Sequence, residues 1–342
     1  MPKTKAMVLF SGGLDSILAV KMLQAQKIAV TAVCFESNFY DAKKAKESAK
    51  KLDIDLKVID IQEEMLALVK NPFSGYGKNL NPCIDCHSLM IKKAGAIAKD
   101  KGFDFVATGE VLGQRPFSQN KKALEKVKDL SGVEVLRPLS AKLLDETEIE
   151  KNKILIRGLL GRIQGRTREA QIELARKYKL KDYPMPSGGC LLTDSSFSER
   201  LGKMLEYWPE CDYNDVELLK YGRVFWANHL SSKKENKKIL IIVGRNKDDN
   251  EALKRLAKKG DFMVELKEIN GPVTLIRLKG NLGKPDFQNL KISIPDKLNL
   301  AKINLDFCGS LSDIIKIAGE LTGIYALKAR GREVDIIIKK IT

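Results

Sequence analysis

Six residues close to the amino terminus are the first that could do chemistry. The motif Ser11-Gly12-Gly13-Leu14-Asp15-Ser16 lies between an apolar segment typical of a strand and a segment typical of a helix. Glycines let the backbone turn tightly and bring N–H groups up to an anion, and a helix N-terminus adds unpaired donors and a favourable dipole. The hydroxyls of Ser11 and Ser16 can donate to phosphate oxygens, and the Asp15 carboxylate can hold Mg²⁺. The motif lacks the Lys-Ser/Thr ending of a Walker A loop, so it does not indicate γ-phosphate transfer.

Three cysteines form a second candidate site. Cys83 and Cys86 have C-x-x-C spacing at the entrance to a predicted helix, and Cys190 follows two glycines much later in the chain. The spacing lets both sulfurs of the pair face one centre, and a helix N-terminus lowers the pKa of a thiol. The residues leave four uses open: a structural zinc site completed by His87 or Cys190, a redox disulfide, cysteines that are merely buried, and a catalytic site.

The first motif is similar to the signature of the PP-loop, or N-type ATP pyrophosphatase, superfamily. Members cleave ATP between the α and β phosphates and form an adenylated intermediate and pyrophosphate. The resemblance implies that the loop binds ATP and its Mg²⁺ through Ser11, Gly12, Gly13, Asp15 and Ser16. It does not choose among the amidotransferases, synthetases and sulfur transferases of the superfamily.

The cysteine motifs make that choice. Asn81-Pro-Cys83-Ile-Asp-Cys86, with Gly188-Gly-Cys190-Leu-Leu-Thr-Asp194 later, resembles the arrangement in tRNA thiouridine synthetases of the PP-loop group. Several subgroups hold a [4Fe-4S] cluster on three cysteines, so the resemblance implies Cys83, Cys86 and Cys190 as the ligands of such a cluster, with one iron left to bind sulfide. The stretch Thr108-Gly109-Glu110-Val-Leu-Gly-Gln-Arg115 also resembles this group, which places Gly109 near the nucleotide or the target base.

The domains that the sequence does not resemble bear on the expected source of sulfur. We find no rhodanese-like domain and no THUMP domain, so we do not expect a persulfide relay through an attached rhodanese. The expected donor is free sulfide or a separate sulfur carrier or desulfurase. In the alternative mechanism the same cysteines serve as persulfide carrier and resolving thiol.

The elements that must position these residues alternate along the first half of the sequence. Predicted strands cover Ala6–Phe10, Ile28–Phe35, Leu56–Ile61 and Phe103–Thr108, and predicted helices cover Ser16–Gln26, Asp41–Leu52, Ser88–Lys101 and Thr167–Tyr178. This alternation predicts an α/β fold with a doubly wound parallel sheet. We expect the PP-loop domain, with its cysteine site, to occupy residues 1–195.

Residues 196–342 have a different composition, with Lys-rich helices and hairpins. A strand at Lys238–Gly244, a helix and a hairpin over Phe262–Leu278 are echoed by a strand at Lys302–Gly309, a helix and a hairpin over Tyr325–Lys339. We therefore predict a smaller, basic α+β domain, with a duplicated strand–helix–hairpin unit as a hypothesis. Residues 221–226 and 243–246 resemble the RNA-binding domain of the NFACT proteins.

Charge favours a nucleic-acid partner. The 342 residues carry a formal charge of +16, and neutralising phosphates releases counterions. A basic proteome or a thermophilic surface would also explain this charge. Four arginines lie close in sequence to the third cysteine and pair well with phosphate: Arg157, Arg162, Arg166 and Arg168.

The remaining properties concern location. No apolar segment is long enough to cross a bilayer, and the first residues are a poor signal peptide. We expect a cytoplasmic protein with reduced thiols and no membrane partner. A homodimer is compatible with the sequence.

The prediction is an enzyme that uses ATP to adenylate a uridine carbonyl of tRNA and then inserts sulfur. The alternative is a PP-loop synthetase that forms an amide or nitrile on a small molecule and holds Zn²⁺ on its cysteines. A third reading, an RNA-binding protein with a relic nucleotide loop, is disfavoured by the intact Asp15 and the cysteine set.

Overall fold

The chain divides into two units, Met1–Ser198 and Glu199–Thr342. The structure is a computed structural model that describes residues 4–184, 189–230, 236–279, 289–295 and 308–342. The boundary predicted after residue 195 lies just before the observed division.

The first unit is built on a five-stranded parallel sheet. Its strands are β1 (Lys5–Leu9), β2 (Ala29–Glu36), β3 (Asp55–Asp60), β4 (Phe105–Thr108) and β5 (Val135–Leu136), in the order β3-β2-β1-β4-β5. All four strand pairs are parallel. The helices are α1 (Leu14–Gln24), α2 (Lys43–Leu52), α3 (Gln62–Lys70), α4 (Cys83–Asp100), α5 (Lys121–Ser131), α6 (Glu148–Lys151), α7 (Glu169–Lys177) and α8 (Ser195–Tyr207), the last of which runs through the boundary.

The sheet is covered on both faces, which is why its central strand is apolar throughout. Val8 packs in a cluster with Ile17 and Leu18 of α1, whereas its neighbour Met7 packs on the opposite face with Ala94 of α4. Side chains alternate across a strand, so a strand between two layers of helices must be apolar at consecutive positions. The predicted doubly wound α/β fold is confirmed.

The strand order creates a topological switch between β1 and β4. From β1 the chain adds β2 and β3 on one side and then returns to add β4 and β5 on the other. In open α/β sheets, ligands bind in the crevice at such a switch point, outside the carboxyl ends of the two strands. The two loops are residues 10–13 and 109–120.

Helix α4 begins earlier than predicted. It starts at Cys83, directly after Pro82 at its N-cap position, rather than at Ser88. Both cysteines of the C-x-x-C motif therefore lie in the first turns of α4. The sequence analysis also missed α3, α5 and β5; β5 contributes only two residues to the sheet, too few to give a strand pattern.

The second unit contains a seven-stranded sheet in its described part. Its strands are β6 (Arg223–Leu230), β7 (Asn236–Val243), β8 (Phe262–Leu266), β9 (Thr274–Arg277), β10 (Asn289–Ser293), β11 (Cys308–Gly309) and β12 (Glu333–Lys340), in the order β10-β12-β8-β9-β7-β6-β11. Neighbouring strands are antiparallel except β6 and β11. The helices are α9 (Tyr213–Leu218), α10 (Lys247–Leu256) and α11 (Leu311–Ile324), and Ile314, Ile315 and Ala318 of α11 are fully buried. The predicted α+β architecture of this unit is confirmed.

Only the first of the two predicted strand–helix–hairpin units is found in the described residues. β7, α10 and the β8–β9 hairpin follow the predicted pattern. In the second half, residues 302–307 lie outside the described residues, and the hairpin predicted over Tyr325–Lys339 is wrong. That segment contains a 3-10 turn at Leu327–Ala329 and the single strand β12. The reason is topological, because β8 and β10 occupy both edges of β12 and leave no place for a local partner.

None of the helices in the described parts of the chain is long and apolar enough to cross a membrane.

Arg277 connects several elements of the second unit through a buried ion network. Only 2% of its side chain is exposed, and it donates to Asp215 of α9 at 2.9 Å and to Asp261, just before β8, at 2.7 Å. It also donates to the carbonyl of Leu256 at the end of α10 at 2.8 Å. Both carboxylates are buried. A buried ion pair of this kind is costly to break, because the remaining charges lose their partner.

We predict that Arg277→Ala lowers the free energy of unfolding by about 3–5 kcal/mol, since it leaves two carboxylates buried without their guanidinium. Urea unfolding of the full chain measures the change. The control is Lys291→Ala, which removes an exposed ion pair with Glu333 and should change stability by less than about 0.5 kcal/mol. Equal losses in the two variants would contradict the assignment.

Candidate active site at the carboxyl edge of the first sheet

The loop between β1 and α1 is shaped by close backbone contacts. Gly12 has a positive φ of 72°, and a Cβ at this position would lie 2.5 Å from the carbonyl oxygen of Lys44 near the start of α2. The Ser48 hydroxyl of α2 donates to the Gly12 carbonyl at 2.9 Å. Only glycine satisfies both the backbone conformation and the space at this point. The helix α2 thus holds the predicted phosphate loop from one side.

The two serines of the loop bond to its own backbone. The Ser16 hydroxyl donates to the Gly13 carbonyl at 2.8 Å, and the Ser11 hydroxyl accepts from the Gly13 N–H at 3.4 Å. Gly13 is the N-cap residue of α1, and because it has no side chain, no side-chain hydrogen bond caps the helix. The N-terminus of α1 therefore opens onto the crevice with the unpaired donors that an anion can accept.

Asp15 lies in the first turn of α1 with one carboxylate oxygen still available. Its Oδ2 accepts from Gln114 Nε2 at 3.1 Å and lies 3.9 Å from Arg168 Nη2. Its Oδ1 is buried and has no hydrogen-bond partner among the described residues. A buried carboxylate oxygen left without a partner is destabilising, and carboxylate oxygens are the ligands that Mg²⁺ prefers. The site therefore fits a divalent cation at this oxygen.

Gly109 brings the end of β4 against the same turn. A Cβ at Gly109 would lie 2.6 Å from the backbone nitrogen of Ser16 and 2.7 Å from the carbonyl carbon of Asp15. Both are backbone atoms, which cannot move away as a flexible side chain could. The glycine is thus required for the loop after β4 to lie directly on the predicted phosphate loop.

The residue after Gly109 anchors a buried polar network. Glu110 accepts from Arg137 Nε at 2.9 Å and from the Thr108 hydroxyl at 3.0 Å, and it lies 2.7 Å from Nδ1 of His87. Burial alone would raise the pKa of Glu110, but the charge of Arg137 and the hydrogen bond with His87 outweigh it, so the pKa is lowered. The carboxylate ties the ends of β4 and β5 to α4, next to the cysteines. Sequence reasoning missed Arg137, because no motif links it to Glu110.

The three predicted cysteines come together beside this network. Burial raises the pKa of Cys86 to about 12, with the hydrogen bond to Tyr40 opposing the rise and the neighbouring thiols of Cys190 and Cys83 contributing to it. Burial likewise raises the pKa of Cys190 to about 11, with Cys83 adding to the effect. The Tyr40 hydroxyl lies 3.5 Å from the sulfur of Cys86. Residues from three separate parts of the chain thus meet at one place.

The expectation of lowered thiol pKa values was wrong. Burial raises the pKa of Cys83 as well, and only the charge of Arg115 and hydrogen bonds oppose it. A helix N-terminus generally favours the thiolate, but the loss of hydration in this buried site is the largest effect on the pKa values. The thiols are therefore protonated at neutral pH until a ligand or a metal replaces the proton.

Cys190 is held in place by the residues that follow it. The Thr193 hydroxyl donates to the Cys190 carbonyl at 2.7 Å, and Asp194 accepts from the Phe197 N–H at 2.7 Å in the first turn of α8. The Leu191 N–H donates to the Phe39 carbonyl at 2.9 Å, and Asn79 donates to the Thr193 carbonyl at 2.9 Å. The Thr and Asp of the Gly-Gly-Cys-x-x-Thr-Asp motif therefore fix the cysteine in position.

The donor set fits a sulfur-ligated metal group. Thiolates are soft ligands that suit iron–sulfur clusters and zinc alike. Among the described residues, no three His, Cys, Asp or Glu side chains are arranged around one ion position. A cluster distributes its thiolates over different iron atoms, so it does not require three sulfurs at one point.

The cationic residues fall into two groups. Arg157 is committed to the fold, since it pairs with Glu150 and donates to the carbonyls of Ala141 and Leu144. Arg168 faces Asp15, whereas Arg162 and Arg166 are exposed. The interpretation of all four arginines as phosphate contacts therefore fails for Arg157, whose guanidinium is saturated by internal acceptors.

Several cations of the second unit are also paired internally. Arg245 pairs with Asp249 at 2.6 Å, Lys254 with Glu265 at 3.1 Å, and Lys258 with Asp212 at 2.5 Å. Trp226, which the sequence placed in an RNA-binding stretch, is 9% exposed and packs edge-on against Trp208. Its ring belongs to the core. Lys233 and Lys234 lie outside the described residues.

The pKa of Glu110 is lowered in the folded state. The ionised carboxylate therefore stabilises the fold at pH values above the ordinary glutamate pKa of about 4.3, and this stabilisation is lost progressively as the pH falls below that value. We predict that Glu110→Gln destabilises the protein by about 1.5–3 kcal/mol at pH 7, since charged hydrogen bonds are lost. Urea unfolding at pH 7 and at pH 3 measures the change, and the difference from wild type should shrink at pH 3. Glu47→Gln, at an exposed position, is the control; a difference that is independent of pH would contradict the assignment.

Comparison with protein-family models identifies two segments of the chain. Residues 2–155 match the model of the family described as thiamine biosynthesis protein (ThiI). Residues 229–292 match the NFACT protein RNA binding domain. The first match covers β1 to β5 with the phosphate loop and the C-x-x-C motif, and the second begins within β6.

Solved structures show looser likenesses. A 4-thiouridine synthetase–RNA complex with bound ATP is 21% identical with a TM-score of 0.37, over 64% of this chain and 52% of that one, about half of its length. The U34-tRNA thiolase NcsA from Methanococcus maripaludis, with its [4Fe-4S] cluster, is 16% identical with a TM-score of 0.33, over 64% of this chain and 72% of that one. NMN synthetase from Francisella tularensis is 14% identical with a TM-score of 0.27, over 54% of this chain and 90% of that one. With TM-scores this low, these structural likenesses do not indicate the substrate of this chain.

The predicted resemblances are confirmed by the two family matches. The glycines and the Asp15 carboxylate of the phosphate loop lie inside residues 2–155, as do Cys83 and Cys86 of the cysteine motifs, whereas Cys190 lies outside this match. Residues 2–155, which contain the PP-loop motif, are thus similar to the ThiI family, and residues 229–292 are similar to the NFACT RNA-binding domain.

Proposed function

We propose that this protein uses ATP to adenylate a uridine carbonyl of tRNA and then replaces the carbonyl oxygen with sulfur. One observation carries the proposal: the predicted phosphate loop and the three thiols lie at the same edge of one sheet. The loop is held against the end of β4 by Gly109, and Glu110 then links that strand to the helix that carries Cys83 and Cys86. The two half-reactions need these groups within reach of a single base.

The nucleotide would occupy the N-terminus of α1. The N–H groups of the loop would bind the pyrophosphate portion of ATP, and Asp15 would hold Mg²⁺ through its unpartnered Oδ1. The uridine oxygen attacks the α phosphorus, the bond to the bridging oxygen breaks, and pyrophosphate leaves with its charge offset by the metal. Adenylation converts a poor leaving group into AMP.

Sulfur would enter beside the cysteines. The residues that would hold a [4Fe-4S] cluster are Cys83, Cys86 and Cys190, and when bound such a cluster supplies a coordinated sulfide as the nucleophile. Hydrosulfide would form a bond to the activated carbon and lose its proton to solvent, the carbon–oxygen bond would break, and AMP would leave with the former uridine oxygen. The donor would be free sulfide or a separate sulfur carrier.

The RNA partner is supported by charge and by the second family match. The chain carries +16, and residues 229–292 match an RNA-binding domain. Arg162 and Arg166 add exposed guanidinium groups to the first unit. Reduced cysteines and an RNA substrate together point to the cytoplasm. The small-molecule synthetase with zinc is not favoured, because residues 229–292 match an RNA-binding domain.

We predict that Asp15→Asn lowers tRNA-dependent pyrophosphate release on the order of 100-fold, since the neutral amide cannot offset the charge of the leaving group through Mg²⁺. The assay supplies ATP, Mg²⁺ and tRNA from a strain that lacks the protein. Asp145→Asn, at a carboxylate whose side chain is 89% exposed, should release pyrophosphate at the wild-type rate. Release that persists in Asp15→Asn would rule out the loop assignment.

We predict that protein purified without oxygen is brown and that Cys190→Ala loses the colour, because one of three cluster ligands is gone. Iron and acid-labile sulfide are quantified together with the visible absorbance. Cys34→Ala is the matched control, since Cys34 is buried in the core of the same unit and should leave the colour unchanged. A colourless wild-type protein with stoichiometric zinc would instead support the synthetase alternative.

A further inference from the structure

The segment 113–120, here called the bridging loop, spans the distance between the two halves of the site. At one end Gln114 donates to Asp15 Oδ2 at 3.1 Å. Near the other end the Ser118 hydroxyl hydrogen-bonds the side chain of Cys83, an interaction that opposes the rise in the pKa of that thiol. Ser118 is 2% exposed. One short loop therefore touches both the nucleotide side and the sulfur side.

The backbone of the bridging loop is held by its own hydrogen bonds. The Gly113 N–H donates to the Gln119 carbonyl at 2.7 Å, and the Gln119 N–H donates to the Arg115 carbonyl at 2.8 Å. The Asn120 side chain donates to the Pro116 carbonyl at 2.7 Å. These bonds close the loop into a compact turn, so the side chains at its tip are presented from a fixed support.

The tip presents an aromatic ring and a guanidinium to solvent. Phe117 is 47% exposed, and Arg115 is also exposed. The Phe117 ring lies on Gly77, where a Cβ would come within 2.8 Å of its Cδ1. The Gly77 N–H donates to the carbonyl of Asn81, two residues before Cys83, at 2.8 Å. An exposed ring and an exposed cation thus lie by the segment that leads into α4, and no described residue pairs with the guanidinium.

Resting on the proposed function, we propose that Phe117 and Arg115 receive the unpaired target nucleotide of the RNA. The base stacks on the face of Phe117, and the guanidinium of Arg115 pairs with the phosphate of that nucleotide. Chemistry on a base carbonyl requires the base to leave its stack, and unpaired bases stack on aromatic rings in RNA-binding sites. The position between Asp15 and Cys83 delivers the base to both half-reactions.

A second exposed ring provides a matched control. Phe73 is 79% exposed and lies in the loop before α4, where the ammonium nitrogen of Lys126 lies 5.8 Å from the centre of its ring. If exposure alone produced contact with RNA, Phe73 would respond as strongly as Phe117. The proposal assigns the contact to Phe117.

The test uses the full chain and a hexauridylate that carries one 5-iodouridine, which cross-links under ultraviolet light to aromatic rings that stack on it. Mass spectrometry should locate the cross-link at Phe117. The cross-link should be lost in Phe117→Leu, which keeps apolar cover over Gly77, and retained in Phe117→Tyr and Phe73→Leu. Arg115→Gln should lower the dependence of hexauridylate binding on salt by about one in the log–log slope.

Steady-state thiolation of tRNA gives the second readout. Phe117→Leu should raise the KM for tRNA about tenfold, the size expected for one base stack, with the KM for ATP unchanged and with rescue by Phe117→Tyr. A Phe117→Leu variant that cross-links and thiolates like wild type, or a cross-link at Phe73 instead, overturns the inference. If wild type cross-links at Phe117 but forms no thiolated nucleoside, the base-binding surface stands and the proposed function falls.

Discussion

The site depends on one close backbone approach, where the end of β4 lies on the first turn of α1. At Gly109 there is no room for a Cβ, because the backbone of Asp15 and Ser16 fills the space. This contact places the loop after β4 over the loop after β1, at the switch point of the sheet. The contact also positions the residues that follow β4. Glu110 contacts His87 of α4, Gln114 donates to Asp15, and the bridging loop hydrogen-bonds Cys83.

The cysteine site is assembled from parts of the chain that are distant in sequence. α4 carries Cys83 and Cys86, and the segment before α8 carries Cys190, which Thr193 and contacts with Phe39 and Asn79 hold in place. Because the thiols are buried together, their pKa values rise and they stay protonated without a ligand. A metal group that binds there must displace these protons, so its binding is coupled to proton release.

Much of the site could be predicted from sequence because it depends on local motifs. The phosphate loop was indicated by its glycines, its carboxylate and the strand and helix on either side, whereas the grouping of the three cysteines was implied by the resemblance to thiouridine synthetases. Arg137 and the bridging-loop contacts could not be predicted, since they join residues that no local pattern connects. The prediction of lowered thiol pKa values was wrong for a related reason. Burial depends on the whole fold, and the rise in pKa that it causes is larger than the lowering expected from a helix N-terminus. The second predicted hairpin failed because β12 pairs with two strands distant in sequence.

If the uridine is adenylated before sulfur enters, its carbonyl oxygen leaves the RNA bound to phosphorus, and an isotope label can follow it. Substrate tRNA transcribed with uridine that carries ¹⁸O at its base carbonyls is incubated with the protein, ATP, Mg²⁺ and sulfide without oxygen. The AMP formed is then examined by mass spectrometry. The account predicts one ¹⁸O atom in the phosphate of AMP for each sulfur gained by the tRNA. Thiolated tRNA accompanied by unlabelled AMP would contradict it.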